Sequence, residues 1–230
     1  MRVNAVIVAA GEGKRMGGNL PKPLIALAGR ALILHTLDRF VRSHARKVIL
    51  VVPEQHKQKF EQTVRADPQQ KSLDFILESG GRRRQDSVVR GLDRLDEDCE
   101  VVVIHDGARP LISPVIIDHC VELAQKEGAA VVGVPAKDTI KVVSESRRIE
   151  STPPRNSLWE IQTPQAFRVE IIREAHRRAE QDGIEATDDA MLVERLGRRV
   201  ALLEGERSNM KITTPEDLLI AEALIRAGRV

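Results

Sequence analysis

Aromatic residues are nearly missing from this chain. Of 230 residues none is tyrosine, one is tryptophan and four are phenylalanine. Proteins that grip single-stranded nucleic acid stack its bases on aromatic platforms, so that partner is not expected, and stability must come from aliphatic packing. Cysteine is scarce as well. Cys99 and Cys120 lack the spacing of a metal site, and two such residues argue against a disulfide framework and for a reducing, cytoplasmic setting. No apolar run approaches the length that spans a bilayer, and the N-terminus enters a strand-like pattern without a signal-type apolar region. Charge of one sign is not in excess either. Lys and Arg number 36 against 34 Asp and Glu, so no general affinity for nucleic acid or an acidic membrane follows. What is present is a 42% hydrophobic fraction, enough for a sizeable core, in a length that suits one α/β domain over residues 1–230.

The stretch from Val6 to Pro23 organises the rest. Val6 to Ala10 is apolar without interruption, as in a strand buried on both faces of a parallel sheet. It breaks into a loop holding Gly11, Gly13, Gly17 and Gly18, with Lys14, Arg15 and Lys22 as cations. Glycine admits positive φ and close approach of a ligand to bare amides, and successive amides form an anion-binding concavity. A triphosphate is the natural guest. Two familiar phosphate loops do not fit. The dinucleotide fingerprint would need a glycine one place before Gly17, and the P-loop would need Ser or Thr where Arg15 stands. The stretch is similar instead to the signature of nucleotidyltransferases that activate sugars and polyols, A-A-G-x-G-x-R-M followed by P-K.

Downstream, helix and strand patterns alternate. Helices are expected over 31–44, 54–66, 88–95, from Ser113-Pro114 onward, over 168–181, from 187 to 196 and from Thr214-Pro215. Strands are expected over 47–52, 73–77, 100–106, 129–135, 158–162 and 199–203. Such alternation predicts a Rossmann-like, mostly parallel sheet with helices on both faces, whose ligands sit beyond the carboxyl ends of the strands. Three loops should therefore meet: 11–22, 80–87 and 106–110. The pattern breaks at 136–157, where 137–143 reads as an exposed strand, Arg147-Arg148 as a turn and 149–155 as its return. We expect a protruding β-arm there, used for binding or dimerisation.

Joining a phosphate to a nucleoside triphosphate brings two polyanions together. It calls for cations, a metal and alignment more than for a strong base. Arg15 and Lys22 are the candidates for holding the triphosphate and neutralising charge at the α-phosphorus. Asp106, at the end of an apolar strand, is the candidate metal ligand, since Mg²⁺ is commonly held by a carboxylate together with substrate phosphates; the alternative is a loop cap paired with Arg109. His105 is read as structural. A phosphate monoester is already anionic near neutral pH, its second pKa being about 6, so no base is required. Gly80-Gly81 and Ser87 offer groups that could read a base edge, while Arg82-Arg83-Arg84 is either a ligand contact or solvated surface.

The ordered set of these segments resembles the 2-C-methyl-D-erythritol 4-phosphate cytidylyltransferase family over nearly the whole chain. It comprises the glycine loop with Pro21-Lys22, Gly80-Gly81 through Asp86-Ser87-Val88, Ile104 to Pro110, Lys137 to Lys141, Thr163 to Phe167, Thr187 to Ala190 and Asn209 to Thr213. The resemblance implies that CTP and a polyol phosphate yield a CDP-alcohol and pyrophosphate, with Mg²⁺. It implies that Arg15 and Lys22 stabilise the transition state, that Ala9, Ala10, Gly11, Gly81, Ser87 and Arg109 contact CTP, and that Asp106 sits at the metal. It further implies a homodimer in which the arm crosses to the partner, Thr139 and Arg155 helping to bind the acceptor and Lys211 positioning its phosphate.

Three positions depart from the family pattern: Pro23 where glutamine is usual, Ser208 where many relatives carry an acid, and Arg82 where some carry an acid. Proline removes an amide donor, so the loop exit is expected to differ, and a second metal carboxylate is in question. Two other readings stay open. A ribitol-5-phosphate cytidylyltransferase would share the fold and the CTP site, and a non-catalytic nucleotide-binding protein would keep the fold without cations aimed at the α-phosphate.

Overall fold

The computed structural model describes residues 1–11, 20–45 and 47–229. Their elements run β1 (Val3–Val8), β2 (Ala26–Leu27), β3 (Arg30–Ala31), α1 (Leu32–Val41), β4 (Lys47–Val52), α2 (Lys57–Ala66), β5 (Phe75–Ser79), α3 (Arg84–Leu92) and β6 (Val101–Asp106). They continue with α4 (Pro114–Glu127), β7 (Ala129–Pro135), β8 (Val142–Val143), β9 (Ile149–Ser151), β10 (Trp159–Arg168), α5 (Val169–Gln181), α6 (Asp189–Arg195), β11 (Ala201–Glu204) and α7 (Pro215–Arg226). The main sheet has seven strands in the order β11-β7-β10-β6-β1-β4-β5.

β1 lies at the heart of this sheet, with Val6 opposite Ile49 on one side and Ile104 on the other, both pairings parallel. Its unbroken apolar run follows from what covers it. Alternate residues point to opposite faces. Val3, Ala5 and Ile7 join a core with Leu37 and Phe40 of α1, Phe60 of α2 and Ile117 and Val121 of α4. Val6 joins a second core with Val88 and Leu92 of α3, Ile172 and Ala175 of α5 and Leu192 of α6. A smaller cluster, Leu27, Leu32, Leu111, Ile212 and Ala221, seats α7 against the β2–β3 corner.

The expected mostly parallel sheet is correct with one inversion. β10 runs antiparallel to both β6 and β7. It spans ten residues rather than ending at 162. The cause is the missing crossover: parallel neighbours need a long connection, usually a helix, and between β7 and β10 the chain makes only a hairpin. Within that hairpin, pairing is confined to β8 and β9, so the strand read over 137–143 shrinks to two residues. Arg147 turns it with a φ of 59°. β8 and β9 join no strand of the main sheet.

α3 begins at Arg84, four residues before the expected start, because Asp86 closes its first turn by accepting the Arg83 amide at 3.0 Å. Ser113 occupies the cap position of α4 but makes no side-chain cap bond. α7 starts where expected and opens on a capping box, in which the Asp217 amide donates to Thr214 Oγ1 at 3.3 Å and Asp217 accepts from the Thr214 amide at 2.8 Å.

Candidate active site

The carboxyl ends of β6, β1, β4 and β5 lie side by side in the sheet, and the expected loops converge above them. The backbone keeps its ladder for one residue past each strand. Ala9 donates to Val51 at 2.7 Å, Gly80 to Val52 at 2.8 Å and Gly107 to Val8 at 2.9 Å. The loops then diverge around a cleft of about 840 Å³. Its wall includes Ala9, Ala10, Gly11, Lys22, Gly80 to Arg84, Ser87, Asp106, Ala108 and Lys211, with Pro53, Glu54 and Gln55 following β4.

Gly80 is where the first two loops touch. A Cβ there would lie 2.2 Å from the Ala10 Cβ, so no side chain fits unless one loop moves. Gly81 donates its amide to Ser87 Oγ at 3.0 Å, and the Ser87 hydroxyl donates to the Arg83 carbonyl at 3.1 Å. The Gly80 carbonyl accepts from Arg90 at 2.9 Å. These groups, read from the sequence as contacts to a nucleobase, thus also hold the loop closed on itself.

Asp106 faces three cations. Its Oδ2 accepts from Lys211 Nζ at 2.8 Å and lies 3.8 Å from Arg109 Nε, while its Oδ1 accepts from Arg84 Nε at 3.2 Å. Burial alone would raise the carboxyl's pKa. The charges of Arg84, Lys211 and Arg109 outweigh that and hold it well below the usual carboxylate range. Asp106 is therefore an ionised carboxylate at the cleft wall, the kind of group that holds Mg²⁺ jointly with phosphate oxygens. Arg109 itself stands behind the wall, its Nη1 donating to the Asn209 carbonyl at 2.8 Å. That bond, with the Ile212 amide donating to the Ala108 carbonyl at 2.8 Å, pins the segment carrying Lys211 against the end of β6.

His105 is fully buried. Its Nε2 faces the Arg109 carbonyl at 3.1 Å and its Nδ1 the Thr163 hydroxyl at 3.1 Å. A carbonyl only accepts, so Nε2 carries the hydrogen and Nδ1 accepts from Thr163, whose oxygen accepts the Asp106 amide at 3.0 Å. Burial pushes the imidazole pKa down to about 4, and the ring is neutral near pH 7. The structural reading of this histidine holds. Cys99 and Cys120 are buried and unpaired, and burial pushes the Cys120 thiol up to about 12.

Of the residues singled out by sequence, Ala9, Ala10, Gly11, Lys22, Gly81, Ser87, Asp106 and Lys211 share this cleft. Arg15 lies outside the described residues, as do Gly13, Lys14, Gly17 and Gly18. Thr139 and Arg155 do not line the cleft. Both are exposed on the hairpin segment, where Arg155 Nη1 donates to the Lys137 carbonyl at 3.1 Å. At the loop exit Pro23 costs this chain no backbone hydrogen bond. It sits second in the 3-10 turn Lys22–Leu24, where the Leu24 and Ile25 amides donate back to Pro21 and Lys22 and no amide is needed from Pro23 itself. Ser208 is not part of the cleft wall, and its hydroxyl donates to Glu206. Arg82 is part of the wall.

Sequence reasoning missed Arg84 as a group apart from its triplet. It also missed Asp189, 1% exposed, which accepts from Arg84 Nη1 at 2.7 Å. Two adjacent acids, Asp188-Asp189, at one helix start were the available signal. Only Asp188 caps α6, accepting from the Met191 amide at 3.0 Å, which leaves Asp189 to be accounted for.

Residues 3–227 match the family described as IspD, 2-C-methyl-D-erythritol 4-phosphate cytidylyltransferase. A relative of that name from Caldanaerobacter subterraneus is 45% identical over 226 residues, covering 98% of this chain and all of that protein. One from Bacillus velezensis is 46% identical over 230 residues, covering 99% of this chain and 97% of that protein. Among solved structures, the 2-C-methyl-D-erythritol 4-phosphate cytidylyltransferase of Thermus thermophilus superposes with a TM-score of 0.80 at 38% identity, covering 98% of this chain and 100% of that one.

Proposed function

The chain belongs to the 2-C-methyl-D-erythritol 4-phosphate cytidylyltransferase family, and from that premise we propose that the cleft beyond β1, β5 and β6 is where CTP and the methylerythritol phosphate react. The protein is a nucleotidyltransferase of isoprenoid biosynthesis. The observation that carries the site assignment is the meeting of Gly11, Lys22, Gly81, Asp106 and Lys211, from four separate segments, around one cavity.

In this reading an oxygen of the acceptor's phosphate attacks the α-phosphorus of CTP. The new P–O bond forms as the bond to the bridging oxygen breaks, and pyrophosphate leaves with that electron pair. The attacking oxygen is already anionic, so no base removes a proton, in keeping with His105 being neutral and fully engaged. Lys22 and Arg15 balance the charge that builds on the α-phosphoryl oxygens. Lys211, half-exposed beside Asp106, orients the acceptor's phosphate. Asp106 would hold Mg²⁺ together with the triphosphate, and the ion would there shield the negative charge of the pyrophosphate leaving group. Gly80 and Ala10, in contact, shape the floor on which the nucleoside rests. The buried, unpaired cysteines suit a reducing compartment, and the cytoplasm is the setting we assign. Among the described residues no helix is long and apolar enough to cross a membrane.

Pyrophosphate release, measured with CTP and either 2-C-methyl-D-erythritol 4-phosphate or ribitol 5-phosphate, tests the assignment. The methylerythritol phosphate is the expected substrate, and preferred turnover of ribitol 5-phosphate would overturn the acceptor. Lys22→Ala should lower kcat by about 10²-fold or more, the scale of losing one preorganised donor to a developing oxyanion. An unchanged kcat would remove Lys22 from the catalytic set.

A further inference from the structure

The cleft wall is backed by a chain of side chains that the reaction does not use directly. His176 of α5 meets Asp189 of α6, Nε2 to Oδ1, at 3.1 Å. Asp189 Oδ2 accepts from Arg84 of α3 at 2.7 Å, and the other arm of that guanidinium reaches Asp106 Oδ1 at 3.2 Å. Arg84 and Asp189 are 105 residues apart, yet their segments are tied to each other. Gln85 donates to the Ile184 carbonyl at 3.3 Å and accepts the Ala186 amide at 3.2 Å. The start of α6 is fixed to β10 as well, through Gln165, which donates to Asp188 and accepts the Ala190 amide. Asp189 therefore cannot drift from Arg84.

The chemistry of the pair gives this arrangement a use. A guanidinium is a rigid planar fork. Held by Asp189 on one prong, it presents a fixed donor to one oxygen of Asp106 on the other. Lys211 takes the second oxygen, so the plane of the Asp106 carboxylate is set from two sides. The closer contact is to Asp189, so that carboxylate fixes where the guanidinium sits and hence the direction from which it meets Asp106.

We propose that Asp189, seated on His176 and acting through Arg84, is a positioning residue for the reaction, setting the direction of the Asp106 carboxylate. The proposal rests on Asp106 belonging to the reacting site. Asp189→Asn keeps the shape and removes the charge. Its expected effect is a fall in kcat of about 10–100-fold, the usual cost of removing a partner that orients a ligating group, with the KM for the acceptor changed by less than about twofold because binding groups stay in place.

The decisive arm repeats the substitution in an Asp106→Asn background. If Asp189 acts through Asp106, it should there cost less than about twofold, since effects that run through one group do not add. Equal losses in both backgrounds, or a loss that only follows the folded fraction seen in thermal melts, would mean a structural role and overturn the proposal. Should Asp189→Asn fail to fold, Arg84→Lys takes its place. A lysine keeps the charge but lacks the rigid planar fork that fixes two carboxylates in set directions, and the same pattern across the two backgrounds is expected. An Asp106→Asn variant with unaltered kcat would defeat the underlying reading of the site. A normal Asp189→Asn kcat beside an impaired Asp106→Asn would defeat the positioning role alone.

Discussion

His105 and Asp106 are neighbours in sequence, and burial meets opposite answers in them. Burial of the imidazole outweighs the pull of the neighbouring Asp106 carboxylate, and the ring gives up its proton. The carboxylate is ringed by cations and stays ionised. For His105 this sets a dependence of stability on pH. Its folded-state pKa, about 4, lies below the ordinary 6.5, so as the medium is acidified the unfolded chain takes up the proton first. The stabilisation is complete above 6.5 and is lost as the pH falls toward 4. From pH 7 to pH 5 this one group should remove about 2 kcal/mol of unfolding free energy. His105→Gln can still bond Thr163 and the Arg109 carbonyl but has nothing to titrate. Urea unfolding at the two pH values should show a correspondingly shallower fall for the variant than for the natural chain. Parallel falls would mean that the histidine is charged in the folded protein. Asp106 and Asp189, both held below the ordinary carboxylate range, add nothing to this window, because their loss of stability begins only near pH 4 and below.

Among elements, α7 separates stability from chemistry. Asp217 accepts from the Thr213 amide at 2.7 Å, the Thr213 hydroxyl at 2.7 Å and the Thr214 amide at 2.8 Å, so the entry to the helix is tied down by one carboxylate, and Thr214 closes the box. Thr214→Ala should cost about 1 kcal/mol in chemical denaturation, with kcat nearly unchanged, because Lys211 is held separately through Ile212 and Asn209. A large loss of kcat would show that the cap also aims Lys211. This helix was legible in the sequence because its signals are local: a threonine, a proline and early acids within four residues. β1, β4, β6 and β7 were legible because both faces are buried and the residues read as unbroken apolar runs. β10 was cut short because Gln162, Thr163 and Gln165 look like loop residues. They are buried through bonds to Asn209, His105 and Asp188, partners that no window of sequence contains. The site divides in the same way. Its glycine loops and its strand-end acid are short-range patterns, whereas the Arg84–Asp189 contact joins segments that only the finished fold brings together. Ser113 shows the reverse case, a local signal whose side chain the fold leaves unused.

For the whole molecule, the hairpin after β7 is the part a single chain does not explain. β8 and β9 pair over only a few residues, and two-stranded ribbons of that size are marginal in water by themselves. Ile140, Val142, Val143 and Ile149 are 43–64% exposed on it. Thr139 and Arg155 lie on the same segment, outside the cleft. We propose that the hairpin crosses to a second copy, so that each reacting site takes Lys22 from one subunit and Arg155 from the other. Mixing two inactive variants tests this without a structure. In a hybrid of Arg155→Ala with Lys22→Ala, one site receives an intact lysine from the first subunit and an intact arginine from the second, and the other site carries both defects. Random exchange of an equal mixture makes about half the dimers hybrid, each with one sound site, so about a quarter of the natural activity should return. If both residues serve their own subunit's site, every site in the mixture remains defective and nothing is regained. Native mass spectrometry of the mixture shows whether subunits have exchanged, and silent hybrids in an exchanged sample would rule out the shared site.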